Sequence, residues 1–244
     1  VALWPVGFTL ENYIKMFVGT RVISAFQNSV IITLVGTALQ MVATIMAAYP
    51  LSKPQFFGRS IYLKLIIFTM LFGGGLIPHY LLVKSLGMLN SYSALWIPGL
   101  VSAYNMLILK THFEGIPAEL EEAARMDGAG ELKTLVIIYL PLSLPVLATL
   151  TLFYGVGHWN SFMSVMMYIT SPQKYNLAVM VQQMVRSQQL LSQMRDLSPE
   201  DMQMVTAEGL KSASIFVMII PLMVVYPFLQ KYFVKGVMIG AIKG

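Results

Sequence analysis

Charged positions in this chain crowd between long apolar blocks. Residues 22–52, 65–83, 85–109, 134–173 and 212–230 contain no Asp, Glu, Lys or Arg. Each block can supply the ~20 apolar residues that carry a helix across a hydrocarbon core. The pattern predicts spans at Ser24–Tyr49, closed by Pro50, at Ile61–Val83, at Tyr92–Leu109, within 134–173 and at Lys211–Leu229. Gly73, Gly74, Gly75 and Pro78 predict a break inside the second. The fourth block is too long for one helix, and punctuation is expected at Gly155–Asn160. The expected fold is therefore an all-α, polytopic integral membrane protein with five spans in this chain.

Orientation follows from the short connectors, where Lys and Arg mark the cytoplasmic side. Lys53, Arg59 and Lys64 flank one connector, and Lys231, Lys235 and Lys243 lie in the final stretch, whereas the opposing turn has Lys84. Residues 110–136 and the tail 230–244 are thus expected inside, and the lead segment 1–23 and the polar stretch 171–208 outside. The opening residues do not read as a signal peptide, since no basic stretch precedes an apolar one and no small-residue cleavage pattern follows.

Composition sharpens this picture. Of the 244 residues, 57% are hydrophobic and 11% are charged, against roughly a quarter charged in ordinary soluble domains. The net charge of +5 is spread without a basic stripe, which excludes a nucleic-acid partner. Zero cysteines exclude disulfides, thiolate metal sites and cysteine nucleophiles. His79, His112 and His158 lie far apart without clustered carboxylates, so no metal site is expected. Ser171-Pro-Gln-Lys174 and Gly128-Ala-Gly130 each match a fragment of an enzyme motif, but lack the companion motifs or preceding strand those chemistries require.

The informative polar segment runs from Gly115 to Lys133. Pro117 suits a first helical position, Glu119, Glu121 and Glu122 favour the positive end of a helix dipole, and Gly128 can close the helix in a left-handed conformation. The spacing predicts a helix over Pro117–Asp127, ~16 Å long. A glycine turn and a second helix from Glu131 toward Pro141 follow. Ala123 and Ala124 give the first helix a low-relief face.

Glu122-Ala123-Ala124-x-x-Asp127-Gly128-Ala129, followed by Ile138-x-Leu140-Pro141, resembles the EAA loop of ABC importer permeases. Phe8-Thr-Leu-Glu-Asn-Tyr13, Tyr49-Pro-Leu-Ser52, Tyr175-Asn-Leu-Ala178 and Phe233-Val-Lys-Gly236 extend the resemblance to the maltose-type carbohydrate-uptake group. Gly74-Gly-Leu-Ile-Pro78, Val101-Ser-Ala-Tyr-Asn105 and Gly157-His-Trp-Asn160 are similar to members importing oligosaccharides of plant and algal polysaccharides, of alginate or rhamnogalacturonan type. Family members generally carry an aromatic residue where Leu135 stands, and begin with one more helix, so six spans are expected of the intact protein.

The resemblance implies a non-catalytic permease domain over 24–244 in a bacterial cytoplasmic (inner) membrane, surrounded by lipid. It implies a second homologous permease subunit, two ABC ATPase subunits and an extracytoplasmic sugar-binding protein as partners. This chain would hold no cofactor, since ATP and Mg belong to the ATPases. Within the loop 111–136, Glu122, Ala123, Ala124, Asp127 and Gly128 would form the ATPase-coupling helix. Sugars are held by hydrogen bonds and aromatic faces, which makes Asn28, His79, Tyr80, Tyr104, Asn105, Tyr154, His158, Trp159 and Asn160 candidates for the oligosaccharide path. A secondary transporter or channel subunit is the alternative; it would call for intramembrane ionisable residues for ion coupling, and the blocks hold no Asp, Glu, Lys or Arg.

Overall fold

The computed structural model describes residues 21–184, together with 186, 212, 215–221, 223, 224 and 227. The described part of the last apolar block is helical. The expectations for the lead segment up to residue 20, for 187–211 and for the tail lie outside the described residues.

The first block forms α1, Val22–Ser52. At 1.5 Å per residue its 31 residues reach ~46 Å, more than a hydrocarbon core of ~30 Å requires. Pro50 was expected to end this helix. Instead it lies inside it, and the chain leaves α1 only at Lys53, whose N–H donates to the Pro50 carbonyl at 3.1 Å.

The second block breaks at its glycines, as expected. α2, Arg59–Leu71, and α3, Leu76–Ser85, are bent by 116° about residues 72–75, with Gly75 at φ +84°. The third block is not one helix. A single turn, α4 (Ser93–Trp96), is separated from α5 (Ala103–Glu114) by a stretch containing Pro98 and Gly99. Pro98 has no N–H to continue a helix, and the Gly99 carbonyl freed there accepts from Gln40 Nε2 on α1 at 2.6 Å. Ser102 Oγ then caps α5 by accepting from the Asn105 N–H at 3.4 Å.

Beyond α5 come α6, Ala118–Met126, and α7, Glu131–Thr134. The chain continues as a π-helical turn over Leu135–Tyr139 and a last turn, α8, Leu140–Leu142. The wider turn lies immediately before Pro141, whose ring would crowd the carbonyl of an ordinary α-turn. Leu135 is buried in the apolar cluster with Tyr49, Met106, Leu109, Phe113 and Leu150.

α9, Leu144–Trp159, leaves this segment at an angle of 84°. It runs unbroken through Gly155 and Gly157, so the expected punctuation falls only at Asn160, before α10, Phe162–Tyr168. Gly155 stays helical against α1, where a Cβ would make an ordinary 3.8 Å contact with Thr37.

Among the described residues, one helix is long and apolar enough to cross a membrane by itself, and up to three spans result if each bent pair is one. The apolar blocks therefore become one long rod, α1, with broken helices packed on part of its surface. α5 and α9 pack along the rod and hold the interior. At the end opposite Lys53, Asn28 donates to the carbonyls of Gln173 and Tyr175 at 2.8 and 3.0 Å. Asn90 holds Ser171 there through its carbonyl and amide groups, at 3.0 and 2.9 Å.

Rod and packing helix approach tightly at Gly36. A Cβ there would stand 2.5 Å from His158 Nε2. Gly36→Val should overpack this crossing at a cost of typically 1–3 kcal/mol. Gly157→Ala on α9, with nothing within 4 Å of the new carbon, should cost nothing. Thermal unfolding of the detergent-purified variants checks this: a lower midpoint for the first substitution and an unchanged or higher one for the second.

Candidate functional site

Two regions gather polar side chains. The first is α6 and its seat at the end of α1. Pro117 stands at the N-cap of α6 with extended ψ, one position before the predicted one. Gly128, at φ +74°, closes the helix: its N–H donates to the Arg125 carbonyl at 3.0 Å and the Ala129 N–H to the Ala124 carbonyl at 2.9 Å. This pair of bonds is a Schellman closure, which the left-handed residue makes possible.

α6 has two unlike faces. Glu122, Ala123, Asp127 and Gly128 are exposed, Ala124 is half-buried, and Met126 is 88% exposed. Glu121 turns inward. Its carboxylate pairs with the Lys53 ammonium, accepts from Tyr139 Oη at 2.8 Å and meets Arg125 Nη2 at 2.9 Å. Arg125 also reaches Glu131 at 2.7 Å, and the other oxygen of Glu131 accepts from Tyr49 Oη at 2.8 Å.

Lys53 donates to Tyr139 Oη at 2.6 Å and lies over the rings of Tyr139 and Tyr49, 4.1 and 4.6 Å from their centroids. Tyr49, Phe113 and Tyr139 meet edge to face. A cavity of about 460 Å³ opens beside the cluster, between Ser52, Gln55, Glu114 and Ala118.

Sequence reasoning picked out Glu122 and passed over Glu121, Lys53, Tyr139 and Glu131. A signal was available. Tyr49 and Lys53 are one helical turn apart at the end of the first span, and six acids follow from Glu114 to Glu131.

The second region lies between α1, α5 and α9. Gln40, Ser102, Asn105, Tyr154, His158 and Ser161 line a cavity of about 330 Å³. The Gln40 amide donates to Gly99, so its Oε1 faces His158 Nε2 at 3.0 Å, and that ring nitrogen carries the proton. Tyr154 Oη and Thr44 Oγ1 share a hydrogen bond of 2.6 Å. Among the described residues, no ionisable group other than this histidine and tyrosine lines the space.

Asn105, Tyr154 and His158 are therefore brought together, and the other candidate path residues are not. Trp159 turns away from the cavity, packs edge-on against Phe26 and donates to the Met218 carbonyl at 3.2 Å. Asn160 donates back to Val156 at the end of its own helix, and Asn28 ties down Gln173 and Tyr175. Tyr80 stacks on Tyr168, and Tyr104 is exposed. His79 lines a separate open cavity of about 500 Å³ with Gly73, Gly74 and Tyr168. Gln40 was missed, although Gly36, Gln40 and Thr44 recur at helical spacing along one face of α1.

The ionisation of Glu121 gives a pH signature. Burial alone would raise its pKa, but the hydrogen bonds from Lys53 and Tyr139 and the charges of Lys53 and Arg125 outweigh burial and hold it below the ordinary value. A depressed carboxylate pKa stabilises the fold fully above the unfolded value and ceases to do so as pH falls through the folded one. Protection of the α6 amides from hydrogen exchange should persist from neutral pH down to 4.5, the ordinary value, and fall below it. Glu121→Gln should abolish that dependence.

Comparison with known proteins places this arrangement. The family described as "Binding-protein-dependent transport system inner membrane component" matches residues 41–239. LplC of Bacillus subtilis (strain 168) is 42% identical over 244 residues, covering 99% of this chain and 81% of LplC. The polygalacturonan/rhamnogalacturonan transport system permease protein YtcP of the same organism is 41% identical over 246 residues, 99% of this chain and 84% of YtcP. A chain in the crystal structure of a bacterial ABC transporter involved in the import of the acidic polysaccharide alginate shares the fold at a TM-score of 0.85. It is 31% identical, over 94% of this chain and 81% of that one. The match over residues 41–239 takes in α6 and its seat, the Lys53 end of the rod and the named cavity residues other than Gln40, and the chain belongs to the family of inner membrane components of binding-protein-dependent transport systems.

Proposed function

We propose that this chain is a multi-pass permease subunit of an ATP-driven importer in the bacterial cytoplasmic membrane, and that its cargo is an oligosaccharide of acidic plant or algal polysaccharide. The named substrates of YtcP and of the alginate transporter, both acidic polysaccharides, support the cargo class. Its partners in this reading are a second homologous permease subunit, two ABC ATPase subunits that bind ATP and Mg, and an extracytoplasmic sugar-binding protein.

The observation that carries the mechanism is the two-faced build of α6. A helix held to its own chain through Glu121 and Arg125, and closed by Gly128, presents Glu122, Ala123 and Asp127 outward. Such a face suits a groove on an ATPase: the alanine permits close approach, and the acids offer charged contacts at the rim. Closure of the ATPases on ATP would then push α6 as a unit and shift the helices seated behind it.

The cavity around Gln40 and His158 fits the cargo path in this scheme. Its hydroxyls, amides and imidazole match sugar hydroxyls, and among the described residues no Lys or Arg lines it to hold a uronate. The acidic groups of the cargo are then read by the binding protein, and the permease passes the neutral ring surface. Hydrogen bonds between helices in a membrane average only ~0.6 kcal/mol, so partners such as Gln40 and His158 can exchange one another for sugar at little cost.

Two substitutions test this function. Ala123→Trp should block the close approach without disturbing the chain, because the residue is exposed. Gly128→Val should strain the left-handed closure by roughly 1–2 kcal/mol, although no neighbour crowds the added carbon. Both variants should insert at wild-type levels, yet lose the co-purifying ATPase and the ATP hydrolysis stimulated by sugar plus binding protein. Wild-type assembly and stimulation in both would sink the coupling role.

A further inference from the structure

We infer that Lys53 is the positioning residue that fastens α6 to the end of α1, so that the coupling helix and the rod travel as one body; this rests on the coupling role proposed above. The contacts form a closed circuit. From Tyr49 on α1 it runs to Glu131, to Arg125, to Glu121 and back to Lys53, one helical turn beyond its start. Tyr139 closes a chord across it, accepting from Lys53 and donating to Glu121.

Charge and burial make the circuit a fastener rather than a surface decoration. Its two cations and two anions cancel, and the innermost pair is nearly enclosed, with the Lys53 side chain 10% and that of Glu121 13% exposed. Removing one member of an enclosed pair leaves the other charge without compensation, so such a pair resists separation far more than an exposed one. The ammonium is further held against the faces of Tyr49 and Tyr139, where ring quadrupoles favour a cation. Arg59 also ties this end of α1 to a neighbouring element: it donates to the Leu51 carbonyl at 2.9 Å and pairs with Glu114. Glu114 belongs to α5, so that tie does not hold α6.

Lys53 sits at the C-cap of α1, and its backbone is fixed by the bond to Pro50. A push on α6 therefore reaches the rod directly through the Lys53–Glu121 pair and, by way of Arg125 and Glu131, through Tyr49. Along that rod lie Gln40 and Gly36, which touch Gly99 and His158 at the polar cavity. The outward face of α6 takes no part in the circuit, so docking of an ATPase and transmission of its motion depend on different residues.

The test uses the assembled transporter in lipid nanodiscs and in vesicles. Lys53→Met keeps the stem that packs between the rings and removes the charge. It should retain the ATPase subunits and their ATP hydrolysis, while sugar transported per ATP falls by about fivefold or more, the scale of a typical coupling free energy. Lys53→Arg, which keeps the charge, should recover most of the ratio. Lys53→Met and Glu121→Gln should be no worse together than the more damaging one alone. A wild-type transport ratio in Lys53→Met, or effects that multiply in the double variant, would overturn the assignment.

A second arm stands even if Lys53→Met fails to fold. The chain has no cysteine, so Gln55→Cys with Ala118→Cys, both lining the cavity beside the circuit, offers a pair for bridging by a short bismaleimide. Transport should survive the bridge if the two elements move together, and loss of transport relative to the unbridged variant would refute it. Failure of the coupling role itself would look different: Ala123→Trp would then keep its ATPase whatever Lys53 does.

Discussion

Hydrocarbon tolerates neither a bare charge nor an open backbone amide, and every feature of this chain follows from where that constraint puts its charges. The apolar blocks carry none, so ionic contacts between segments can form only at their ends. At the end of α1 they are concentrated into one electrically neutral circuit through Lys53, Glu121, Arg125 and Glu131, whose innermost pair is nearly enclosed. Deep in the bundle the same task falls to neutral hydrogen bonds, those of Gln40 with Gly99 and His158 and of Tyr154 with Thr44. Firm joints therefore lie at the end of the rod, and exchangeable ones lie along it. A transporter has use for that division, since force has to pass through the first kind and cargo past the second.

Breaks in the helices obey the same constraint. The stretch between α4 and α5 frees the Gly99 carbonyl, and an amide from α1 meets it. The π-helical turn before Pro141 carries the chain past the proline without ending the segment. These irregularities let α5 and α9 pack against the rod while their remaining chain turns aside.

What the sequence disclosed and what it withheld divide along physical lines. The absence of charge reveals an apolar block from a count of residues, and a glycine with Glu at the opposite end reveals α6 and its closure. The break at Gly73–Gly75 was legible for the same reason, because three successive glycines leave nothing to favour a helix. The break after α4 was not, since Pro98 and Gly99 sit inside a block whose hydropathy alone reads as continuous. In the site, Glu122 was legible through its motif, but its neighbour Glu121 was not, because the inward turn of one carboxylate depends on Lys53 and Tyr139, 68 and 18 residues away. Trp159 and Asn28 looked like sugar ligands by residue type. Both spend their polar groups on this chain's own carbonyls, a fact that only the packing of distant segments determines.

The central claim, that the outward face of α6 is the contact with an ATPase, is tested most directly by capture at Met126, which is 88% exposed on that face. A photo-reactive amino acid placed there in the assembled transporter, and illuminated in the membrane, should yield a covalent adduct with an ATP-hydrolysing subunit. The same probe at Tyr139, behind the helix, should yield adducts within this chain. Adducts at Met126 with lipid or with this chain, and none with an ATPase, would contradict the account.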